Sequence, residues 1–343
     1  MGHWFRCLLM VAVTMGLQSE APRAENETQR MTLVLAAPRA GDDYYAPVYD
    51  EILAFQLDYA RAIAAHDDAV ILVDDAAYDF FARHLPDEML LPWPMADIWA
   101  RDYSPVFATA PLAFRYAAAA QGGSQATADR VQRGFTDMAN ELGLSFARAP
   151  EILDGGNFVS DGQDKAIVTD RFLEDNDLSK AEGVRALKRH LGVGQVAIIP
   201  NDDPEGLAHA DGMVMFTDPD TLFVTAYDEP FRSAVLGELE AAFPEVTIVE
   251  LPAAPDEEVW DERFSSACGI YVNSVVTRRA VYVPQFGSRQ DREALDLVRD
   301  HTRKAVVPIP AEKVCFMGGS ARCLVWELAG ANATRILQAA REE

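Results

Sequence analysis

Asp97-Ile-Trp-Ala-Arg-Asp-Tyr-Ser-Pro105 interrupts an otherwise apolar, strand-like stretch with a compact polar group, Trp99-Ala-Arg-Asp102. Four more interruptions of this kind follow: Asp154-Gly-Gly-Asn157, His209-Ala-Asp211, Tyr271-Val-Asn273 and Gly318-Gly-Ser-Ala-Arg-Cys323. Successive clusters lie about 50 to 60 residues apart. That regularity predicts a repeated supersecondary unit with its loops on one face, and a ring of such units would bring all five clusters around one centre. Turns of an ordinary α/β fold that happen to be evenly spaced would give the same pattern.

The segments between clusters alternate between strand and helix periodicity. Met31 to Ala37 reads as a strand, Ile52, Phe55, Tyr59 and Ile63 keep one helical face, and Ala69 to Val73 returns to strand. Ala126 to Leu142 reads as a helix stopped by Gly143. Leu178 to Leu191 carries Ser179 and Glu182 in capping-box spacing and stops at Gly192. Two more helices are expected over Ser233 to Phe243 and Arg289 to Thr302. No Pro/Gly/Ser-rich linker divides the chain, so residues 31–343 are expected to form one α/β domain.

With 343 residues and 49% hydrophobic content, the chain can bury a large core. Its 54 acidic and 30 basic residues give a formal charge of -24, which repels nucleic acid and anionic lipid. Cationic small molecules or basic peptides suit it better, although an acidic excess also serves solubility alone. Arg6, the apolar run Cys7 to Leu17 and Ser19-Glu20-Ala21 read as a signal peptide over residues 1–24, so export to the periplasm or medium is expected, with no membrane association after cleavage. Removing Cys7 leaves Cys268, Cys315 and Cys323, an odd number that requires a free thiol. No cysteine or histidine cluster has metal-site spacing, and no metal or other cofactor is expected.

Taken together, the five motifs resemble the agmatine deiminase and Porphyromonas-type peptidylarginine deiminase family. The resemblance rests on the segment at 97–105, the Asp-Gly-Gly-Asn cluster with Asp161-Gly162, the His-x-Asp, Tyr271-Val-Asn273 followed by Val283-Pro-Gln-Phe-Gly287, and the glycines before Cys323. It spans roughly residues 31 to 340. It implies a pentein fold, a five-bladed α/β propeller of ββαβ units with the active site on the axis. It also implies hydrolysis of a guanidinium to a ureido group and ammonia.

The chemistry explains the residue types. A guanidinium stays charged at physiological pH, so a site that buries it needs carboxylates, and Asp102 and Asp211 resemble the family's guanidinium-binding pair. Cys323, behind the Gly318-Gly319 turn, is the expected nucleophile, forming a thiouronium intermediate that a bound cation helps by favouring the thiolate. His209 would protonate departing ammonia and then deprotonate water. Cys315 lies in the apolar run Val314 to Met317 and reads as core, and Cys268 as structural. Trp99 could pack on the substrate's methylene stem. Asp154, Asn157, Asn273, Gly319 and Arg322 complete the expected substrate-binding set.

Several departures bear on substrate. Asp154 stands where the agmatine enzymes carry glutamate, and Gly319-Ser-Ala-Arg322 replaces Gly-Asn-Ile-His. The tryptophan-rich opening is missing, with Asp42-Asp43-Tyr44-Tyr45 in the following loop. Tyr116-Ala-Ala-Ala-Ala120 lacks the paired arginines that hold a terminal carboxylate, leaving Arg115 and Arg322 as nearby cations. Agmatine, arginine and peptidylarginine all remain open, as does an exported binding protein that keeps the fold without turnover. A manganese ureohydrolase fits poorly, because Leu207 replaces the first aspartate of its Asp-x-His-x-Asp motif.

Overall fold

A computed structural model describes residues 30–342 apart from 255–259 and 261–263; the expected signal peptide at 1–24 lies outside the described residues. The strands, in chain order, are β1 (Thr32–Ala36), β2 (Asp68–Leu72), β3 (Leu90–Leu91), β4 (Val106–Phe107), β5 (Pro111–Arg115), β6 (Ala147–Ile152), β7 (Val159–Ser160) and β8 (Lys165–Thr169). They continue with β9 (Gln195–Ile199), β10 (Val214–Asp218), β11 (Thr221–Thr225), β12 (Thr247–Leu251), β13 (Val275–Val276), β14 (Ala280–Gln285), β15 (Ala305–Pro310) and β16 (Trp326–Leu328).

These strands form five separate sheets on one plan. A first strand pairs antiparallel with a second, and the chain then crosses through helix to a third strand parallel to the second. The sheets β4-β5-β6, β7-β8-β9, β10-β11-β12 and β13-β14-β15 are consecutive in sequence. The fifth is closed by the two ends of the described chain, with β16 antiparallel to β1, and β1 parallel to β2. The expected five-bladed α/β propeller is therefore the observed architecture.

Local sequence explains the crossovers. The helix Gln125–Glu141 starts where the Ser124 side chain accepts from the Thr127 amide, and it turns Val131, Phe135 and Met138 inward. Lys180–Leu191 carries the complete Ser179/Glu182 capping box and ends at Gly192, whose φ of 70° suits a residue without Cβ. Strands are covered on both faces: Leu33 and Leu35 of β1 pack with Ile52 and Tyr59, while Val34 and Ala36 pack toward Phe135 and Trp326. Each such large apolar side chain contributes about 1.5–3 kcal/mol on burial.

The plan also places the five sequence clusters. Each lies just upstream of the first strand of a blade, so all five arrive at the same end of their sheets. Hydrogen bonds close them into a circle. Gly156 N donates to Asp102 Oδ1 at 3.1 Å, Ala210 N to Asn157 Oδ1 at 3.3 Å, and Asn273 Nδ2 to the Asp211 carbonyl at 3.4 Å. Arg322 N donates to the Asn273 carbonyl at 3.2 Å, and Arg101 N returns to the Cys323 carbonyl at 3.1 Å.

Candidate active site

Within that circle Cys323 is the free cysteine among the described residues, and it is buried. Asn273 donates from Nδ2 to its Sγ at 3.2 Å. The amide is held that way round because Asn273 Oδ1 accepts from Ser320 Oγ at 2.9 Å and Arg322 N at 3.1 Å. Cys268 and Cys315 are joined in a disulfide, which ties the wall segment before Asn273 to the one leading into Gly318. The sequence placed both cysteines as structural without pairing them.

His209 stands between two carboxylates. Its Nε2 lies 3.2 Å from Asp154 Oδ2, and its Nδ1 lies 3.8 Å from Asp102 Oδ1. Asp154 is anchored in turn by the Ala117 amide at 2.7 Å. The paired glycines of the second cluster make this approach possible. A Cβ on Gly156 would lie 2.3 Å from His209 Nδ1 and 2.7 Å from Asp102 Oδ1, and one on Gly155 would strike the Arg101 carbonyl at 1.9 Å. Only a residue without a side chain fits either place.

The charges follow from burial and neighbours. Burial disfavours the His209 cation, but Asp102, Asp154 and Asp211 together outweigh it and raise the imidazole to about 9. Asp102 is raised to about 7, chiefly by burial, against the lowering effect of His209. The Cys323 thiol is pushed well up, first by burial and then by Asp211 and Asp102. At neutral pH the site's own residues thus set a protonated imidazole beside a thiol that needs a further positive charge to ionise.

Two cavities meet at Cys323 and His209. One, of about 310 Å³, is lined by Trp99, Asp102, Asp97, Tyr44, Tyr45 and Met317 among others. The other, of about 180 Å³, includes Asp211, Asn273, Asp202 and Asp203. Neither is lined by a lysine or arginine among the described residues. The Trp99 ring lies over Gly319, where an added Cβ would fall 2.4 Å from the ring and 3.0 Å from the Cys323 Cβ.

Other expected site residues are placed differently. Asn157 uses Oδ1 to accept from the Thr169 and Ala210 amides, so it shapes the turn bearing His209 and Asp211 and lines neither of these cavities. Asp154 also stays behind His209. Arg322 turns away from both cavities: Nη1 donates to Asp211 Oδ2 and Nη2 to the Phe158 carbonyl, each at 2.9 Å. A short range to the nucleophile in sequence could not reveal that direction. Arg115 pairs with Asp129 at the surface at 2.9 Å, and Arg101 with Glu327 at 3.2 Å, so neither answers Asp102 directly.

The wall at Asp97 is built from residues that the sequence motifs do not bring together. Tyr45 donates to Asp97 Oδ1 and Gln121 Nε2 to Oδ2, both at 2.7 Å. Asp97 stands two residues before Trp99 in the first motif, but Tyr45 and Gln121 come from distant loops and carry no local signal.

The family model for Porphyromonas-type peptidyl-arginine deiminase matches residues 22–328. The chain belongs to this family. A Selenomonas ruminantium protein bearing the name agmatine deiminase is 25% identical over 335 residues, which cover 82% of this chain and 87% of that one. Among solved structures, an agmatine deiminase of C. jejuni superposes with TM-score 0.74 at 17% identity, covering 88% of this chain and 94% of the other. The Enterococcus faecalis agmatine deiminase gives 0.70 at 20% identity, covering 90% and 97%. As a peptidyl-arginine deiminase family member, the protein is a hydrolase acting on the C–N bond of a linear amidine, and its substrate is a guanidino compound.

Proposed function

We propose that the protein is an exported deiminase that uses Cys323 covalently to convert agmatine or an internal peptidylarginine to its ureido product and ammonia. The observation that carries this reading is the meeting of Cys323, His209, Asp102 and Asp211 at one pair of cavities. Asp102 and Asp211 hold the guanidinium, and its positive charge favours the Cys323 thiolate, the thiol proton passing to solvent and being regained when product leaves. The thiolate bonds to the guanidinium carbon, giving a neutral tetrahedral adduct. His209, protonated in the free site, passes its proton to one amino group; that C–N bond breaks and ammonia leaves a thiouronium cation on the sulfur. Neutral His209 then takes a proton from water as the oxygen bonds to the carbon. The C–S bond breaks, the electron pair returns to the Cys323 sulfur, and the remaining proton leaves with the ammonia.

Trp99 packs against the methylene stem and Gly319 leaves room for it, while Asn273 orients the sulfur. Asp154 and Asn157 act as supports behind the site. Among the described residues no lysine or arginine lines the cavities, which disfavours a substrate carboxylate, so free arginine should be the poorest of the three. Export is supported by the Cys268–Cys315 disulfide, since such bonds persist in oxidising compartments. The test is kcat/KM for agmatine, arginine and an internal peptidylarginine, followed by ammonia and ureido product across a salt series. Agmatine and the peptide should react faster, with agmatine favoured further at low salt. Preference for free arginine at every salt would refute this substrate assignment.

A further inference from the structure

Arg322 adjoins Cys323 in the chain but contributes nothing to either cavity wall. Its guanidinium is spent on Asp211 Oδ2 and the Phe158 carbonyl, and the ion pair is almost wholly enclosed, with side chains 10% and 1% exposed. The groups packed around the Cys323 sulfur explain what this pair can do. Asp102 and Asp154 share the His209 cation, and Arg101 is matched by Glu327. Among the described residues Asp211 is the carboxylate that acts most strongly on the sulfur, ahead of Asp102, and Arg322 is the cation paired with it; Asp97, Asp202 and Asp203 lie further along the cavity walls. An unanswered carboxylate beside a buried thiol would oppose thiolate formation strongly.

We propose that Arg322 is a positioning residue for Cys323: by pairing with Asp211 it cancels part of that carboxylate's field at the sulfur and so eases formation of the thiolate. The inference rests on Cys323 being the nucleophile. The same pairing weakens Asp211's hold on a cationic substrate, which gives the role a kinetic signature. Loss of the Arg322 charge lowers kcat, moves the acid limb of the kcat profile to higher pH, and leaves KM for a cationic guanidine unchanged or smaller. A purely structural role would instead raise KM and lower kcat together.

Thiol alkylation tests the proposal without requiring turnover. Iodoacetamide reaction rates at Cys323 would be measured against pH for the full chain, Arg322→Lys, Arg322→Gln and the double variant Arg322→Gln/Asp211→Asn, with folding checked by circular dichroism. Arg322→Gln should raise the apparent thiol pKa by about one unit, slowing alkylation about tenfold at pH 7. Arg322→Lys, which keeps the charge, should stay within about half a unit of the wild type, and the double variant should return toward it. An unshifted Arg322→Gln, or a double variant as slow as the single, overturns the proposal. If Arg322→Gln does not fold, the other two decide: both within about half a unit supports it, and an upward shift of about one unit in either overturns it. Because alkylation needs no substrate, a wild type inactive on every guanidine would refute the deiminase reading and leave this result interpretable.

Discussion

The imidazole Nε2 of His209 lies 3.2 Å from Asp154 Oδ2, on the side of the ring away from Asp102. Asp154 is itself fixed by the Ala117 amide, so the ring is held from behind by a carboxylate that lines neither cavity. That arrangement orients His209 and stabilises its cation together, the two properties that the proposed role of acid to a departing amine requires. Asp154→Asn keeps the shape and removes the charge. It should lower kcat about tenfold or more with little change in KM, as steady-state kinetics would show. A raised KM at constant kcat would instead put Asp154 in contact with substrate.

The His209 shift fixes the sign of a stability change. Its folded value, about 9, is raised above the ordinary 6.5, so the folded state holds this proton more tightly than the unfolded state. The contribution is fully present below about 6.5 and is lost as pH rises through about 9. Asp102, also raised, acts in the same direction, its share falling from about 4 to about 7. Denaturant unfolding at a series of pH values should therefore show a steeper fall between pH 6.5 and 9 for the wild type than for His209→Gln. Parallel curves would contradict the shift.

Gly156 separates a steric demand from a chemical one. An alanine there must displace His209 or Asp102, both within 2.7 Å of the new methyl group. Misplacement of this kind commonly costs about a hundredfold in rate. Gly156→Ala should lose activity on that scale while Gly212→Ala, whose Cβ would meet nothing within 4 Å, should retain most of it. Comparable activity in the two variants would show that the ring tolerates movement.

The disulfide spans 47 residues, and closing a loop of that size stabilises a fold by about 4 kcal/mol in the chain-entropy account. The double variant Cys268→Ser/Cys315→Ser should lose about 2–4 kcal/mol in urea unfolding, and reductant should then have no further effect on it. Reductant lowering the Tm of the double variant as much as that of the wild type would contradict the pairing.

Much of this was legible because it was written locally. The clusters at 99–102, 154–157, 209–211, 271–273 and 318–323 each precede a blade's first strand, and Ser179 with Glu182 forms the capping box its spacing predicts. What stayed hidden depends on direction or on distant partners. Arg322 follows the same turn as Cys323, yet only the folded chain shows that its guanidinium reaches Asp211. Asn157 is expected to bind substrate through the resemblance of its Asp-Gly-Gly-Asn cluster to the family, whereas two backbone amides claim its oxygen. The pairing of β16 with β1, and of Cys268 with Cys315, joins segments that no local pattern connects.

Covalent catalysis at Cys323 is tested most directly by rapid quenching of wild-type enzyme with agmatine or a peptidylarginine, followed by mass spectrometry of the protein and its peptides. The expected result is a transient substrate adduct, lighter than substrate by one ammonia, on the peptide containing Cys323, forming and decaying at rates that account for turnover and absent from Cys323→Ala, which makes no ureido product. Turnover by Cys323→Ala at the wild-type rate, or an adduct mapped to another residue, would contradict it.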